Sequence, residues 1–262
     1  MNEAELRAGL AEIALGGLRY FASIGSTNDE GQKWSEHNAP DLSLVVADEQ
    51  TAGRGRSGRK WFTPAGSALA FSLILRPTPP ERSQPAHITA LGALAIAEAL
   101  QSLGLETQIK WPNDVLIHGR KVAGILVESR WSAGRPESFV LGMGLNVKTE
   151  SIPPPTEIQF AATCVEQELG KPIDRYQLLR EILRRLIRWR PKVGNPEFLE
   201  AWETALAYLG KEVFITEAQG APQAGKLLGL ESDGSLRLQS DNKILTIHFG
   251  DIHLRPSNDN IS

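Results

Sequence analysis

Cysteine is almost absent: Cys164 is the only one in 262 residues. That excludes an internal disulfide and is compatible with a reducing cytosol. Long hydrophobic runs are also missing. The longest apolar-rich stretch, Ile88 to Leu100, is too short to span a bilayer and contains Glu98. The opening Met1-Asn-Glu-Ala-Glu5 has no basic segment followed by an apolar run, so no signal peptide is expected. A soluble cytoplasmic protein with no membrane partner is the expectation. Nor is there an excess of positive charge. The formal net charge of −3 argues against a protein that lives on nucleic acid phosphate. Residues 1–20 leave no room for a three-helix DNA-binding module before Ser26. His37, His87, His118, His248 and His253 show no metal-ligand spacing, so no metal site is expected. Repeats and low-complexity segments are absent.

What is present reads as an α+β chain. Leu42–Ala47 and Ala68–Leu75 are compact apolar runs, hence buried strands. Thr27-Asn-Asp-Glu30 has capping-box spacing and predicts a helix from about Asn28. Pro85–Leu103 reads as a helix of small and apolar residues closed by Gly104. Strands follow near 108–111, 115–117, 122–131 and 138–147, with a hairpin turn at His118-Gly119. Helices are predicted near 157–169, 174–190 and 196–209. Leu179, Ile182, Leu183 and Leu186 share one face of the second, opposite Arg180, Arg184, Arg185 and Arg188, which is ordinary amphipathicity. Cys164 falls on the first and reads as core. After Gly210 the texture changes to short alternating strands, with Asp233-Gly234 as a hairpin turn. The expectation is a catalytic domain over 1–210, a mixed β-sheet flanked by helices, and a small SH3-like β-barrel over 211–262.

Three segments carry chemistry. Gly53-Arg-Gly-Arg-Ser-Gly58-Arg59-Lys60 is not a P-loop, because Arg59 stands where the lysine must be. It reads as an anion-binding loop or as an exposed surface loop. Glycines let a ligand approach the backbone, and guanidinium groups clamp phosphate or carboxylate oxygens. The arginines are expected to repel one another until an anion arrives. Lys110-Trp-Pro-Asn-Asp114 joins a cation, an amide and a carboxylate in one strand-to-strand connection. Gly142-Met-Gly-Leu-Asn-Val147 lacks the third glycine of a dinucleotide fingerprint and reads as a strand that a ligand or chain approaches closely.

Taken in order, Ser26-Thr-Asn28, Gln50-Thr-Ala-Gly-Arg-Gly-Arg-Ser-Gly-Arg-Lys-Trp61, Lys110–Asp114, Lys121-Val-Ala-Gly124-Ile-Leu and Gly142–Val147 resemble the biotin–protein ligases. Gly250-Asp-Ile-His-Leu-Arg255 is similar to the family's C-terminal barrel. The resemblance implies two steps: biotin and ATP form biotinyl-5′-AMP, and biotin then passes to one lysine of a biotin carboxyl carrier protein. It implies biotin contacts from Ser26, Thr27, Asn28, Gln50, Gly53, Arg54, Gly55, Arg56, Lys121 and Gly124. Arg59, Trp61, Asn113 and Asn146 would face the nucleotide, with Trp61 stacking on adenine. Core packing is the other reading of Trp61, and helix capping that of Ser26 and Thr27. Lys121, Arg56, Lys110 and Asp114 are the catalytic candidates. Asp114 would handle the incoming amine or orient Lys110. ATP brings Mg2+. Some members carry a helix-turn-helix repressor module, and none is expected here. A homodimer is compatible with the sheet edge. The alternatives are a lipoate-protein ligase or octanoyltransferase of the same fold class, or a non-enzymatic nucleotide-binding module.

Overall fold

The computed structural model describes residues 2–154, 160–216, 223–241 and 243–248, with 217 and 252–256 as backbone only. Its centre is a seven-stranded sheet of order β1-β2-β3-β7-β6-β5-β4. The strands are β1 (Gly17–Phe21), β2 (Ser43–Ala47), β3 (Ala68–Leu75), β4 (Thr107–Lys110), β5 (Asp114–Ile117), β6 (Arg120–Ser132) and β7 (Arg135–Asn146). Only β1 and β2 pair in parallel; every other neighbour is antiparallel. The helices ahead of and between these strands are α1 (Glu3–Gly9), α2 (Thr27–Glu36), α3 (Pro79–Ser83) and α4 (Ala86–Gln101).

The two faces of the sheet differ in residue size, and that difference makes the site. Strand side chains alternate between faces. Leu69, Phe71 and Leu73 of β3 and Leu141, Met143 and Leu145 of β7 join the hydrophobic core, where α4 packs on β7. The alternate positions are Ala70 and Ser72, paired with Gly144 and Gly142. These face α2, which packs on β3 and β7. Helix α4 is built almost wholly of Ala, Leu and Ile and is buried along most of its length. Behind it lies α6 (Arg175–Trp189), whose Leu179, Ile182, Leu183 and Leu186 are buried. Three of its arginines are held by carboxylates: Arg184 by Glu181 and Glu12, Arg185 by Glu181, Arg188 by Glu98.

Several sequence expectations change. The first twenty residues hold α1 and the edge strand β1. Thr27 already lies inside α2, with Ser26 at the N-cap, so the capping box read from Thr27 to Glu30 is one residue out of phase. The capping box forms instead at Thr78 and Glu81, opening the unpredicted α3. The helix expected over 157–169 is only α5 (Val165–Leu169); 155–159 lie outside the described residues, and 160–163 is extended. Cys164 is fully buried as its N-cap residue, and burial raises its thiol pKa. Both hairpin turns stand where expected, with φ of 49° at His118 and 85° at Gly234.

After α7 (Pro196–Thr204), residues 205–207 run beside β4. Ile109 donates to Ala205 and accepts from Ala207 at 2.7 and 2.9 Å, which covers part of that sheet edge. A five-stranded antiparallel sheet stands where the small barrel is expected, in the order β11-β10-β9-β8-β12. Its strands are β8 (Glu212–Glu217), β9 (Gln223–Leu230), β10 (Leu236–Ser240), β11 (Lys243–Ile247) and β12 (Ile252–Pro256). Gly250 and Asp251 lie outside the described residues. The small sheet docks through buried polar contacts: the Trp111 indole donates to Gly234 O at 3.0 Å, and Leu230 N to Glu203 at 2.6 Å.

Candidate active site

Gly142 and Gly144 project on the same face of β7, two residues and so about 7 Å apart. Each accommodates a different side chain. A Cβ on Gly142 would stand 2.0 Å from Asn28 Oδ1, and one on Gly144 would stand 2.3 Å from the Trp61 indole. Gly124, opposite Gly144 on β6, completes the floor: its Cβ would meet Trp61 at 3.1 Å and Lys121 Nζ at 3.2 Å. The glycines therefore serve close packing of protein groups, with two clusters side by side.

The first cluster starts at the N-terminus of α2. Ser26, Thr27 and Asn28 are all buried. The Ser26 side chain makes no capping bond. Gln50 takes that task, its Oε1 accepting from Thr27 N at 2.8 Å and Thr27 Oγ1 at 3.1 Å. Asn28 Nδ2 donates to Glu128 at 2.8 Å and to Leu126 O at 3.3 Å, while Asn28 Oδ1 lies 2.6 Å from Ser72 Oγ. Arg54 reaches the same carboxylate with two bonds, 2.9 and 2.7 Å, and Asp29 at 2.6 Å. The hydrogen bonds that Arg54 donates to Glu128 are the main cause that raises the Arg54 pKa. Here the structure corrects the picture of mutually repelling arginines, since Arg54 is matched by two carboxylates. The Gly/Arg segment is a tight turn, with Gly55 N on Arg59 O at 2.7 Å and Trp61 N on Gly53 O at 2.9 Å.

The second cluster centres on Lys121, whose ammonium lies 2.7 Å from Asp114 Oδ1 and 5.4 Å from the centre of the Trp61 ring. A regular strand would put Lys121 and Gly124 on opposite faces. A bulge between β5 and β6 pairs Leu116 with Lys121 and Val115 with Ala123, leaving Val122 extra, and so brings Lys121 to the glycine floor. Arg56 donates to Asn113 Oδ1 at 3.1 Å, and Asn113 is itself fixed to Ile125 O at 3.0 Å. The Trp61 indole N–H is buried with no hydrogen-bond partner among the described residues.

Lys110 is paired in register with Asp114, but its ammonium sits 3.6 Å from the centre of the Phe160 ring. The Asp114 carboxylate is on Lys121, which favours Lys121 over Lys110 as the lysine it orients. Asn146 is buried and donates to Thr163 O at 3.1 Å. Thr163 N in turn bonds Lys121 O at 2.9 Å. Arg59 is exposed, its Nε on Arg56 O.

Sequence reasoning missed Ser72, Glu128, Phe160, Thr163 and Glu168. A lone serine within the apolar β3 was the signal for Ser72, and Glu128 follows Gly124 at a same-face spacing. Glu168 holds Arg120, His118 and Thr163. Burial alone would raise its pKa, but bonds from Thr163 and His118 and the Arg120 charge take it below the usual value. No three His, Cys, Asp or Glu side chains converge among the described residues.

The sequence profile of the Biotin/lipoate A/B protein ligase family matches residues 20–146. The bifunctional ligase/repressor BirA of Bacillus subtilis is 35% identical over 97% of this chain and 79% of its own. The biotin–[acetyl-CoA-carboxylase] ligase of Paracoccus denitrificans is 35% identical over 84% of this chain and 92% of its own. The chain belongs to the biotin–protein ligase family. Among solved structures, the Aquifex aeolicus biotin protein ligase in complex with biotin and ATP superimposes with a TM-score of 0.79 at 32% identity. It covers 92% of this chain and 99% of that one. As a biotin–protein ligase fold, the molecule turns the small-residue face of its sheet to the site and the large-residue face to the core. No helix among the described residues is long and apolar enough to cross a membrane.

Proposed function

We propose that this chain activates biotin with ATP and transfers it to a lysine of a biotin carboxyl carrier protein. The supporting observation is Lys121, brought to the glycine floor by the bulge and paired there with Asp114. A biotin carboxylate is ionised at neutral pH, so activation needs no general base; it must overcome repulsion between carboxylate and phosphates. The carboxylate oxygen attacks the α-phosphorus, that P–O bond forms, and pyrophosphate leaves. Lys121 neutralises the approaching anions, Arg56 and Arg59 add charge at the rim, and the buried Lys110 adds charge from within. Ser26, Thr27, Gln50, Gly53, Gly55 and Arg54 border the biotin end; Trp61, Asn113 and Asn146 border the nucleotide end. Asn28 has its amide hydrogens spent on Glu128 and Leu126, so its part is to shape the pocket wall.

In the second step the acceptor amine attacks the acyl carbon and AMP leaves. A free lysine has a pKa near 10.4, so roughly one in a few thousand is neutral at pH 7. Asp114 receives or steers that proton once Lys121 has turned to the phosphate. The chain works in the cytosol without operator DNA, consistent with a net charge of −3, and Gly210 marks the boundary between the catalytic and small domains. The test is transfer of radiolabelled biotin to a purified carrier domain with ATP, alongside pyrophosphate release. Release that occurs equally without biotin, or labelling by lipoate in place of biotin, would overturn the assignment.

A further inference from the structure

Glu128 was not nominated by any motif, yet it stands where the pocket wall and the Gly/Arg turn meet. Its two oxygens accept three bonds, two from Arg54 and one from Asn28. Asn28 is fixed from three sides, by Glu128, Leu126 O and Ser72. With the Ser72 proton on Asn28 Oδ1, Ser72 Oγ can accept from Thr27 Oγ1 at 2.8 Å, and Thr27 N donates to Gln50 Oε1 at 2.8 Å. A hydrogen-bonded chain therefore runs from Gln50 through Thr27, Ser72, Asn28 and Glu128 to Arg54. Gly142 permits it, since any side chain there would collide with Asn28.

We propose that Glu128 is a positioning residue for the ligase reaction: it holds the Gly53–Lys60 turn against the sheet through Arg54 and orients Asn28 with the same carboxylate. This rests on the ligase reading above. Three features distinguish the contact from an incidental surface ion pair. The Arg54 contact is bidentate, which fixes direction as well as distance. Asp29 adds a second carboxylate on the same guanidinium. Finally, Glu128 is shared with a buried amide whose alternative would be an unsatisfied N–H. When the ligand enters beside Asn28, the turn that must cover it is already tied to the wall it touches. Loss of Glu128 uncouples the two, so the ligand must immobilise the turn unaided.

The size of the effect follows from exposure. The Arg54 and Glu128 side chains are 40% and 26% exposed, so solvent screening puts the contact at the low end for charge-assisted bonds, about a tenfold effect. Glu128→Gln keeps the shape and one acceptor, and Arg54→Met keeps much of the bulk. In the ligand-free protein, hydrogen exchange of amides 55–61 should accelerate about tenfold in Glu128→Gln, with β3 and β7 amides unaffected. In the assay, the KM for biotin should rise about tenfold, with a smaller fall in kcat. The Glu128→Gln/Arg54→Met double variant should be little worse than the more damaging single one, because both remove the same link. Unchanged exchange in Glu128→Gln overturns the proposal. So do single-variant effects that multiply in the double variant, or acceleration spread evenly over the sheet. The exchange measurement needs no biotin, so it tests the tie even if wild-type protein failed to adenylate biotin.

Discussion

Replacing Gly144 by alanine adds a single methyl group, but at a point already filled. The new Cβ would lie 2.3 Å from Trp61 Cε2 and Nε1 and 2.8 Å from Cζ2. Ordinary carbon contacts are about 3.5–4 Å, so the ring must retreat by roughly 1 Å or more. Gly124 on the neighbouring strand offers little extra room, since even a Cβ built there would stand 3.1 Å from Trp61 Cζ3. Overpacking of this kind costs about 1–3 kcal/mol. Expelling the indole also frees its buried, unpartnered N–H to reach water, which returns about 1–3 kcal/mol. Global stability should therefore change by about 1 kcal/mol or less. Function should not escape so lightly. If Trp61 forms the nucleotide wall, its displacement should raise the KM for ATP about ten- to a hundredfold, the kinetic equivalent of the same overlap. Biotin affinity, measured without ATP, should shift far less, because the Asn28 wall sits over Gly142. The assay is pyrophosphate release against ATP concentration, with a urea melt as control. An ATP KM within twofold of wild type, or a melt showing several kcal/mol lost, would refute the reasoning.

Three other outcomes are expected. Lys121→Ala should reduce adenylate formation by two to three powers of ten, about 2–4 kcal/mol; a normal single-turnover rate would show that the charge on the glycine floor is not what activates the carboxylate. Arg56→Gly, which unties the turn from Asn113, should still make adenylate but release it, seen as labelling of a bystander protein; retention as tight as wild type would count against it. His87 is buried against Phe198 and Trp202, and burial lowers its pKa from 6.5. The unfolded chain then binds the proton more readily, so His87's contribution is present above about pH 6.5 and lost as pH falls toward the depressed folded value. His87→Phe should flatten urea stability between pH 7.5 and 5.5, and an unchanged slope would refute the assignment.

Local pattern made much of this molecule legible. Apolar runs marked β2 and β3, the three- and four-residue spacing of leucine and isoleucine marked α6, and the Gly-containing turns marked two hairpins, because each depends on neighbours in the chain. The motif blocks pointed to one reaction before any strand was placed. Edge strand β1 and the extended 160–163 segment were not legible: each is ordered by pairing with residues far away, β1 with β2 and 161–163 with Lys121. The pattern of small residues at 68, 70 and 72 and at 142 and 144 was in the sequence, but its meaning required knowing that β3 and β7 lie side by side.

The site depended most on register. In sequence, Lys121 and Gly124 are three residues apart, a spacing that places side chains on opposite faces of a strand. Only the pairing of β5 with β6 shows that Val122 is bulged and that Lys121 therefore returns to the face of Gly124, within 2.7 Å of Asp114. Residue types determined which charges were available. Which of them meet was decided by one extra residue in a ladder, because alternation along a strand has period two and any single insertion reverses it.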